Sequence, residues 1–304
     1  MLDDTLAELA MQIEPTAAQR AGASRSHSAV RSSLDDGNIG KRILDSELSG
    51  SYARHTAIRP LDDVDVLFFI DPKEWKTGWF ESLPSPESVL TTFHRAIKYR
   101  YPASSVRMQR RSVGLQLYHL SIDAVPAIVA DREDYIYVPD SESGTWILSA
   151  PRVHARAAAE VNRRTSGVFK PLVKLLKHWN GNLPEAARLK GFAIETIAVR
   201  LLAHLRCRSL TDGALKFFDF LAAFAGDSRW KWDNDFGVSL GRWSFSWTIP
   251  DVAETGSNLA HNLTSDRRER FLREAAQARE RLILASQETS VREQRRLACD
   301  ALRR

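Results

Sequence analysis

Apolar and polar residues alternate along this chain in two rhythms, one of about three to four residues and one of two. Leu6, Leu9 and Ile13 fall at helical spacing within residues 1–20, and Val30, Leu34, Ile39, Ile43 and Leu44 extend a second helical reading over 24–48. The rhythm changes at Val64–Ile70, a short apolar run led by Asp62, Asp63 and Asp65 that reads as a strand. Pro84-Ser85-Pro86 introduces a helix over 87–99, with Val89, Leu90, Phe93 and Ile97 as its apolar stripe. Residues 104–109 and 112–125 read as paired strands, and Val113-Gly114-Leu115-Gln116-Leu117 shows partial period-two alternation.

After the turn sequence Asp140-Ser141-Glu142-Ser143-Gly144-Thr145 the pattern becomes helical again. One long helix is expected over 154–180, with Val168, Phe169, Leu172, Val173, Leu176 and Trp179 forming a wide core-facing stripe. Another begins at Gly191 and continues through Leu201, Leu202 and Leu205, and Asp212-Gly213 reads as a break before Leu215. Trp230, Trp232, Trp243 and Trp247 crowd the segment 226–250, where packing explains them more simply than base stacking. A polar loop around Ile249-Pro250-Asp251 and Asn258 then enters a final helical region. The expected architecture is α+β in two lobes: a mixed-sheet lobe with bracing helices over 1–150, a helical lobe over 151–265, and a basic helical tail over 266–304. The lobe change is expected near 145–158.

Composition narrows the classes. A chain of 304 residues encloses a substantial core, and no window resembles a membrane span. The start, Met1-Leu2-Asp3-Asp4-Thr5, is acidic and wrong for a secretory signal, and a cytoplasmic protein is the reading that fits. Two cysteines, Cys207 and Cys299, argue against a disulfide framework or an all-cysteine zinc site. The net charge of +5 is concentrated in the tail, where residues 266–304 carry eleven arginines against seven acids. The preceding body is near neutral, which is poor support for a nucleic-acid groove across the whole protein.

The chemistry gathers around a few positions. Gly50-Ser51 forms a small flexible turn ahead of the strand that Asp63-Val64-Asp65 begins. Asp63 and Asp65 point to the same side of extended backbone, and two carboxylates crowded on one face repel unless a cation sits between them. Ser121-Ile122-Asp123-Ala124-Val125 embeds a third aspartate in another apolar run, where it needs a partner or a metal to stay charged. Alternation permits Asp63, Asp65 and Asp123 to converge at one sheet edge. Lys170, Lys174 and Lys177 lie close to one face of the 154–180 helix, as a solvated ridge or as donors to a triphosphate.

This glycine-serine and three-aspartate pattern resembles the minimal nucleotidyltransferase fold of the polymerase-beta superfamily. Leu172-Val173-Lys174-Leu175-Leu176-Lys177-His178-Trp179, Lys190-Gly191-Phe192-Ala193-Ile194-Glu195, and Ile249-Pro250-Asp251 with Asn258 narrow the resemblance. Together they look like bacterial relatives of the cyclic GMP–AMP synthase and oligoadenylate synthase group, the CD-NTases of CBASS anti-phage defence, over residues 25–265. The resemblance implies a two-lobed enzyme with ribonucleoside triphosphates such as ATP or GTP in its cleft. It implies that Asp63, Asp65 and Asp123 hold two Mg2+ ions, with Mn2+ as an alternative, and that Gly50, Ser51, Lys174, Lys177 and Asn258 bind the nucleotide. The implied reaction joins nucleotides into a cyclic di- or oligonucleotide with release of pyrophosphate. No cysteine–histidine cluster matches the zinc ribbon of the animal sensor, so direct activation by nucleic acid is not expected, while an accessory activator protein is left open. The competing readings are an RNA nucleotidyltransferase or protein adenylyltransferase, and a non-catalytic nucleic-acid-binding module.

Overall fold

A computed structural model describes residues 1–36, 39–76, 83–222, 248–261 and 263–303. The tryptophan-rich stretch from Trp230 to Trp247 lies outside them. The chain divides into two compact units, Pro15–Ala155 and Met1–Glu14 with Arg156–Arg304.

The helices of the first part of the chain are α1 (Leu2–Gln12), which belongs to the second unit, and α2 (Ala17–Asp36). The sheet unit then adds β1 (Ile43–Leu48), the one-turn helix α3 (Gly50–Ala53), β2 (Asp63–Ile70) and α4 (Pro86–Arg100). It is completed by β3 (Ser105–Met108), β4 (Val113–Gln116), β5 (Ser121–Val129), β6 (Ile136–Asp140) and β7 (Thr145–Ser149). The strand order is β1-β2-β5-β4-β3, with β6 and β7 continuing from the far end of β5. The pair β2 and β5 is parallel and the other pairs are antiparallel, so the sheet is mixed as expected.

Period-two geometry sorts the side chains of β2. Val64, Val66, Phe68 and Ile70 enter a core with Val30 and Leu34 of α2 and Val89, Leu90 and Phe93 of α4. Ile122 and Ala124 of β5 join that core from the neighbouring strand. The odd-numbered residues take the other face: Leu67 and Phe69 pack with Ala127, Ile136 and Val138. Asp63 and Asp65 precede Leu67 and Phe69 on that same odd face, before the apolar cover begins.

The second unit contains α1, α6 (Phe169–Gly181), α7 (Gly191–His204), α8 (Leu210–Ala222), α9 (Ser265–Gln287) and α10 (Val291–Arg303), while the boundary falls within α5 (Pro151–Arg164). Its core is built on Trp179, whose ring lies 4.9 Å from that of Phe218 and 5.5 Å from that of Phe271. Phe271, Leu272, Ala275, Ala278 and Leu282 of α9 are buried. The basic tail expected over 266–304 thus packs through its apolar stripe, while Arg270, Arg273, Arg292, Arg295 and Arg296 are exposed. No helix among the described residues is long and apolar enough to cross a membrane.

Four local expectations are corrected. Residues 43–48 form an edge strand paired with β2 instead of continuing the 24–48 helix, because backbone pairing with β2 outweighs the helical spacing of Ile43 and Leu44. The 154–180 helix is two helices, α5 and α6. The chain turns between them at Ser166 and Gly167, with φ of 51° and 89°, and the Gly167 N–H donates to the carbonyl of Asn162. Residues 112–125 are two strands, β4 and β5. Asp212-Gly213 does not break the chain but lies inside α8, where a Cβ on Gly213 would stand 2.6 Å from Leu172 and 2.8 Å from Cys207. That glycine serves close helix packing, not a turn.

Candidate active site

Parallel pairing of β2 with β5 places Asp63 opposite Ser121 and Asp65 opposite Asp123. Adjacent strands lie about 4.8 Å apart, so the odd face at this end of the ladder presents three carboxylates in close company. Burial, and then the charges of Asp63 and Asp123, push the Asp65 carboxyl up to about 6, against the opposing influence of Arg54. The Asp123 carboxyl is also raised, chiefly by burial and next by Asp63, with a hydrogen bond from Gln109 acting the other way. The arrangement is a concentration of negative charge that lacks enough positive charge around it.

The turn that carries Gly50 and Ser51 is fitted to Asp65. The Ser49 N–H donates to the Asp65 carbonyl at 2.8 Å, and Gly50 follows with φ of 63°. A Cβ on Gly50 would lie 1.9 Å from Asp65 Oδ2. Glycine is required twice over here, for its backbone conformation and for the space the carboxylate occupies. The Ser51 carbonyl accepts from the N–H groups of Thr56 and Ala57, which fixes the turn, while the Ser51 hydroxyl has no protein partner among the described residues.

A second support comes from the β3–β4 turn. Gln109 Nε2 donates to Asp123 Oδ1 at 3.0 Å, and the Ser112 hydroxyl donates to Gln109 Oε1 at 2.8 Å. Gly114 stands opposite Asp123 in the β4–β5 pairing, and a Cβ there would lie 2.6 Å from Gln109 Nε2. An open trough of about 200 Å³ adjoins this group, lined among others by Ser105, Arg107, Gln109, Gln116, Ser121 and Asp123. Sequence reading passed over Gln109, Ser112 and Gly114. The one available signal was the glycine in a strand interior, which marks close approach of another group.

The residues present suit a hard divalent cation: the donors are carboxylate oxygens, and the cradle at Gly50 shapes the space around one of them. No group of three or more His, Cys, Asp or Glu side chains among the described residues is gathered tightly enough to chelate an ion as it stands.

The remaining candidates stand in the helical unit. Lys174 Nζ is 2.7 Å from Glu14 Oε1, and Lys177 Nζ is 2.6 Å from Glu195 Oε2 in a pair whose two side chains are buried. Asn258 Oδ1 accepts from the N–H groups of Ile249 at 3.0 Å and Ala260 at 2.9 Å, so this side chain fastens its own loop. The structure therefore brings Gly50, Ser51, Asp63, Asp65 and Asp123 together in the sheet unit, and places Lys174, Lys177 and Asn258 in the helical unit with partners of their own.

The sequence profile of the Second Messenger Oligonucleotide or Dinucleotide Synthetase domain matches residues 1–162. The chain is 31% identical over 203 residues to the cyclic AMP-AMP-AMP synthase of an Acinetobacter species, a match covering 64% of this chain and 56% of that protein. It is 26% identical over 178 residues to the cyclic UMP-AMP synthase of Rhodothermus marinus, covering 51% of this chain and 61% of the relative. The matches thus span little more than half the length of these curated relatives. In fold the chain is similar to Escherichia coli MS115-1 CdnC, solved in complex with HORMA-deltaN, with a TM-score of 0.75 at 19% identity over 98% of this chain and 95% of that one. It is also similar to the Bradyrhizobium diazoefficiens CD-NTase CdnG in complex with GTP, with a TM-score of 0.72 at 16% identity over 100% and 98% of the two chains. At such identities the structural likeness is one of fold alone.

Proposed function

Because the chain belongs to the second messenger oligonucleotide or dinucleotide synthetase family, within the CD-NTase nucleotidyltransferases, we propose that it joins ribonucleoside triphosphates into a cyclic di- or oligonucleotide messenger in anti-phage signalling. The observation that carries the reading is the register of Asp65 against Asp123 on parallel strands, with Gly50 seated on the Asp65 carboxylate. Asp63, Asp65 and Asp123 would hold two magnesium ions, or manganese in their place, which supply neutralisation of phosphate charge and a lower cost for a developing alkoxide.

The protein's own part begins with positioning. Ser51, through its hydroxyl, and the backbone at Gly50 hold the triphosphate of one nucleotide, while the trough beside Asp123 offers polar contacts to the nucleotide that attacks. A bond forms between the attacking ribose oxygen and the α-phosphorus. The bond between the α-phosphate and the β-phosphate breaks, pyrophosphate leaves, and the hydroxyl proton passes to Asp123. Repetition of the same step within the linear product closes the ring. Lys177 and Lys174 are assigned to phosphate binding and Asn258 to the nucleotide, with cytoplasmic triphosphates as the supply.

Incubation with all four ribonucleoside triphosphates and Mg2+ or Mn2+, followed by mass analysis of small products, tests the reading. Metal-dependent, phosphatase-resistant cyclic products are expected from the wild type and not from the Asp63→Ala, Asp65→Ala double variant. Nucleotide tails on added RNA with no cyclic product would replace this reading with RNA nucleotidyl transfer. An accessory activator belongs to the proposal, since CdnC was solved with HORMA-deltaN. The assay is therefore run with and without proteins co-purified from the source cells.

A further inference from the structure

The β3–β4 turn is built more firmly than a surface hairpin needs. The Gln109 N–H donates to the Ser112 carbonyl at 2.9 Å, which closes the turn. Arg110 then clamps it from outside: its Nε donates to Asp140 Oδ1 at 2.8 Å and an Nη to Asp140 Oδ2 at 2.6 Å, the two-pronged geometry that fixes orientation as well as distance. The Arg110 carbonyl accepts from the Ser141 N–H at 3.0 Å and from its hydroxyl at 3.1 Å. Asp140 is itself buried and also accepts the N–H groups of Glu142 and Ser143. The turn is thus anchored on the β6–β7 hairpin through at least four hydrogen bonds to Asp140 and Ser141.

What the anchored turn delivers is one amide. The Gln109 carboxamide is held at Oε1 by the Ser112 hydroxyl, which leaves Nε2 directed at Asp123 Oδ1 at 3.0 Å. Among the described residues no second donor reaches the Asp123 carboxylate. One lone pair of Oδ1 is taken, and the second oxygen stays available to a metal ion or to a ribose hydroxyl. Passage of the amide depends on Gly114, because any side chain there would occupy its path at 2.6 Å.

We infer that Gln109 is a positioning residue for Asp123, fixing the orientation of that carboxylate for the transfer reaction, with Ser112 and Gly114 as the parts that make this possible. The inference rests on the proposed function. Partners that orient a metal-binding carboxylate are themselves worth about 10- to 100-fold in affinity or rate.

The test compares wild type with Gln109→Met, which keeps the volume and loses the amide, and Gln109→Glu, which keeps the shape and replaces the donor with an acceptor. Gly114→Ala and the Gln109→Met, Gly114→Ala double variant complete the set. Two quantities are read: Mn2+ binding by calorimetry with the metal alone, and kcat and KM for the four triphosphates. Gln109→Met is expected to bind Mn2+ about tenfold more weakly, and both Gln109 variants to lose about 10- to 100-fold in kcat, with KM within about twofold of wild type. Gly114→Ala should act in the same direction, and the double variant should be no worse than Gln109→Met. Wild-type Mn2+ affinity and kcat in Gln109→Met, or losses that multiply in the double variant, would overturn the inference. If Gly114→Ala does not fold, Ser112→Ala takes its place, with the same direction expected. A wild type that binds Mn2+ yet forms no nucleotide product, either alone or with the proteins co-purified from the source cells, refutes the proposed function and leaves the Mn2+ comparison to decide on Gln109.

Discussion

Replacing Gly50 by alanine adds one methyl group and is expected to abolish most activity while leaving the protein folded. The added Cβ would begin 1.9 Å from Asp65 Oδ2, where real Cβ contacts essentially never fall below 3.0 Å. The carboxylate must retreat by about 1 Å to restore an ordinary contact. A displacement of that size at a reacting centre costs about 100-fold in rate. The backbone contributes separately: φ at Gly50 is 63°, a conformation that costs a non-glycine residue roughly 1–2 kcal/mol. Expressed as an unfolding midpoint this is a fall on the order of 5 °C. The assay is kcat for product formation beside thermal unfolding of the same preparation. Retention of wild-type kcat in Gly50→Ala would refute the reasoning, because the turn would then not be seated on a working carboxylate.

Other outcomes follow from the charges. Asp65 is pushed from an ordinary 3.8 to about 6, so the folded state binds its proton more tightly than the unfolded chain does. Its contribution to stability is fully present below 3.8 and is lost as pH rises through about 6. In chelator at pH 7.5, Asp65→Asn is therefore expected to be more stable than wild type by about 2 kcal/mol, with the difference vanishing toward pH 4; equal stability by denaturant titration at both pH values would contradict this. Asp140 shows the opposite sign: its pairing with Arg110 holds the carboxyl down at about 2, so its stabilisation is present above 3.8 and is lost as pH falls through about 2. Because Arg110 is partly exposed and screened, Asp140→Asn should cost about 1–2 kcal/mol at pH 7 and progressively less as the solution is acidified, read by chemical unfolding. Lys177→Met breaks a buried ion pair with Glu195 and should destabilise the protein by about 3 kcal/mol. Its triphosphate KM is measured below the unfolding transition and should rise; an unchanged KM would remove Lys177 from the binding set.

The acidic constellation was legible because period two is a local rule. Asp63 and Asp65 share a face whatever strand lies beside them, and the apolar surroundings of Asp123 marked a carboxylate in need of company. What no local rule supplies is that β2 pairs with β5 in the register that sets Asp65 against Asp123. That pairing is a tertiary event between segments far apart in the chain, and the family resemblance anticipated it where periodicity only permitted it. The errors elsewhere have the same origin. Ile43 and Leu44 fit a helix by spacing, yet Leu44 points to solvent from an edge strand held by β2. Gly213 has the sequence look of a breaker but is a packing glycine beneath Leu172, a contact invisible from its neighbours in sequence. Gly167 did carry a readable stop signal for α5, and the continuous apolar stripe on both sides of it concealed the turn. The Gln109 support lay beyond sequence reading because an amide in a turn acquires a role only from the carboxylate it meets.

The central claim is that Asp63, Asp65 and Asp123 form one centre for phosphoryl transfer, and transfer of an α-phosphate label tests it most directly. With α-labelled ATP, the other three ribonucleoside triphosphates and Mg2+, the wild type is expected to retain label in phosphatase-resistant product and to release unlabelled pyrophosphate. Each of Asp63→Asn, Asp65→Asn and Asp123→Asn should lose that signal while remaining folded. Undiminished resistant label from Asp123→Asn would contradict the account.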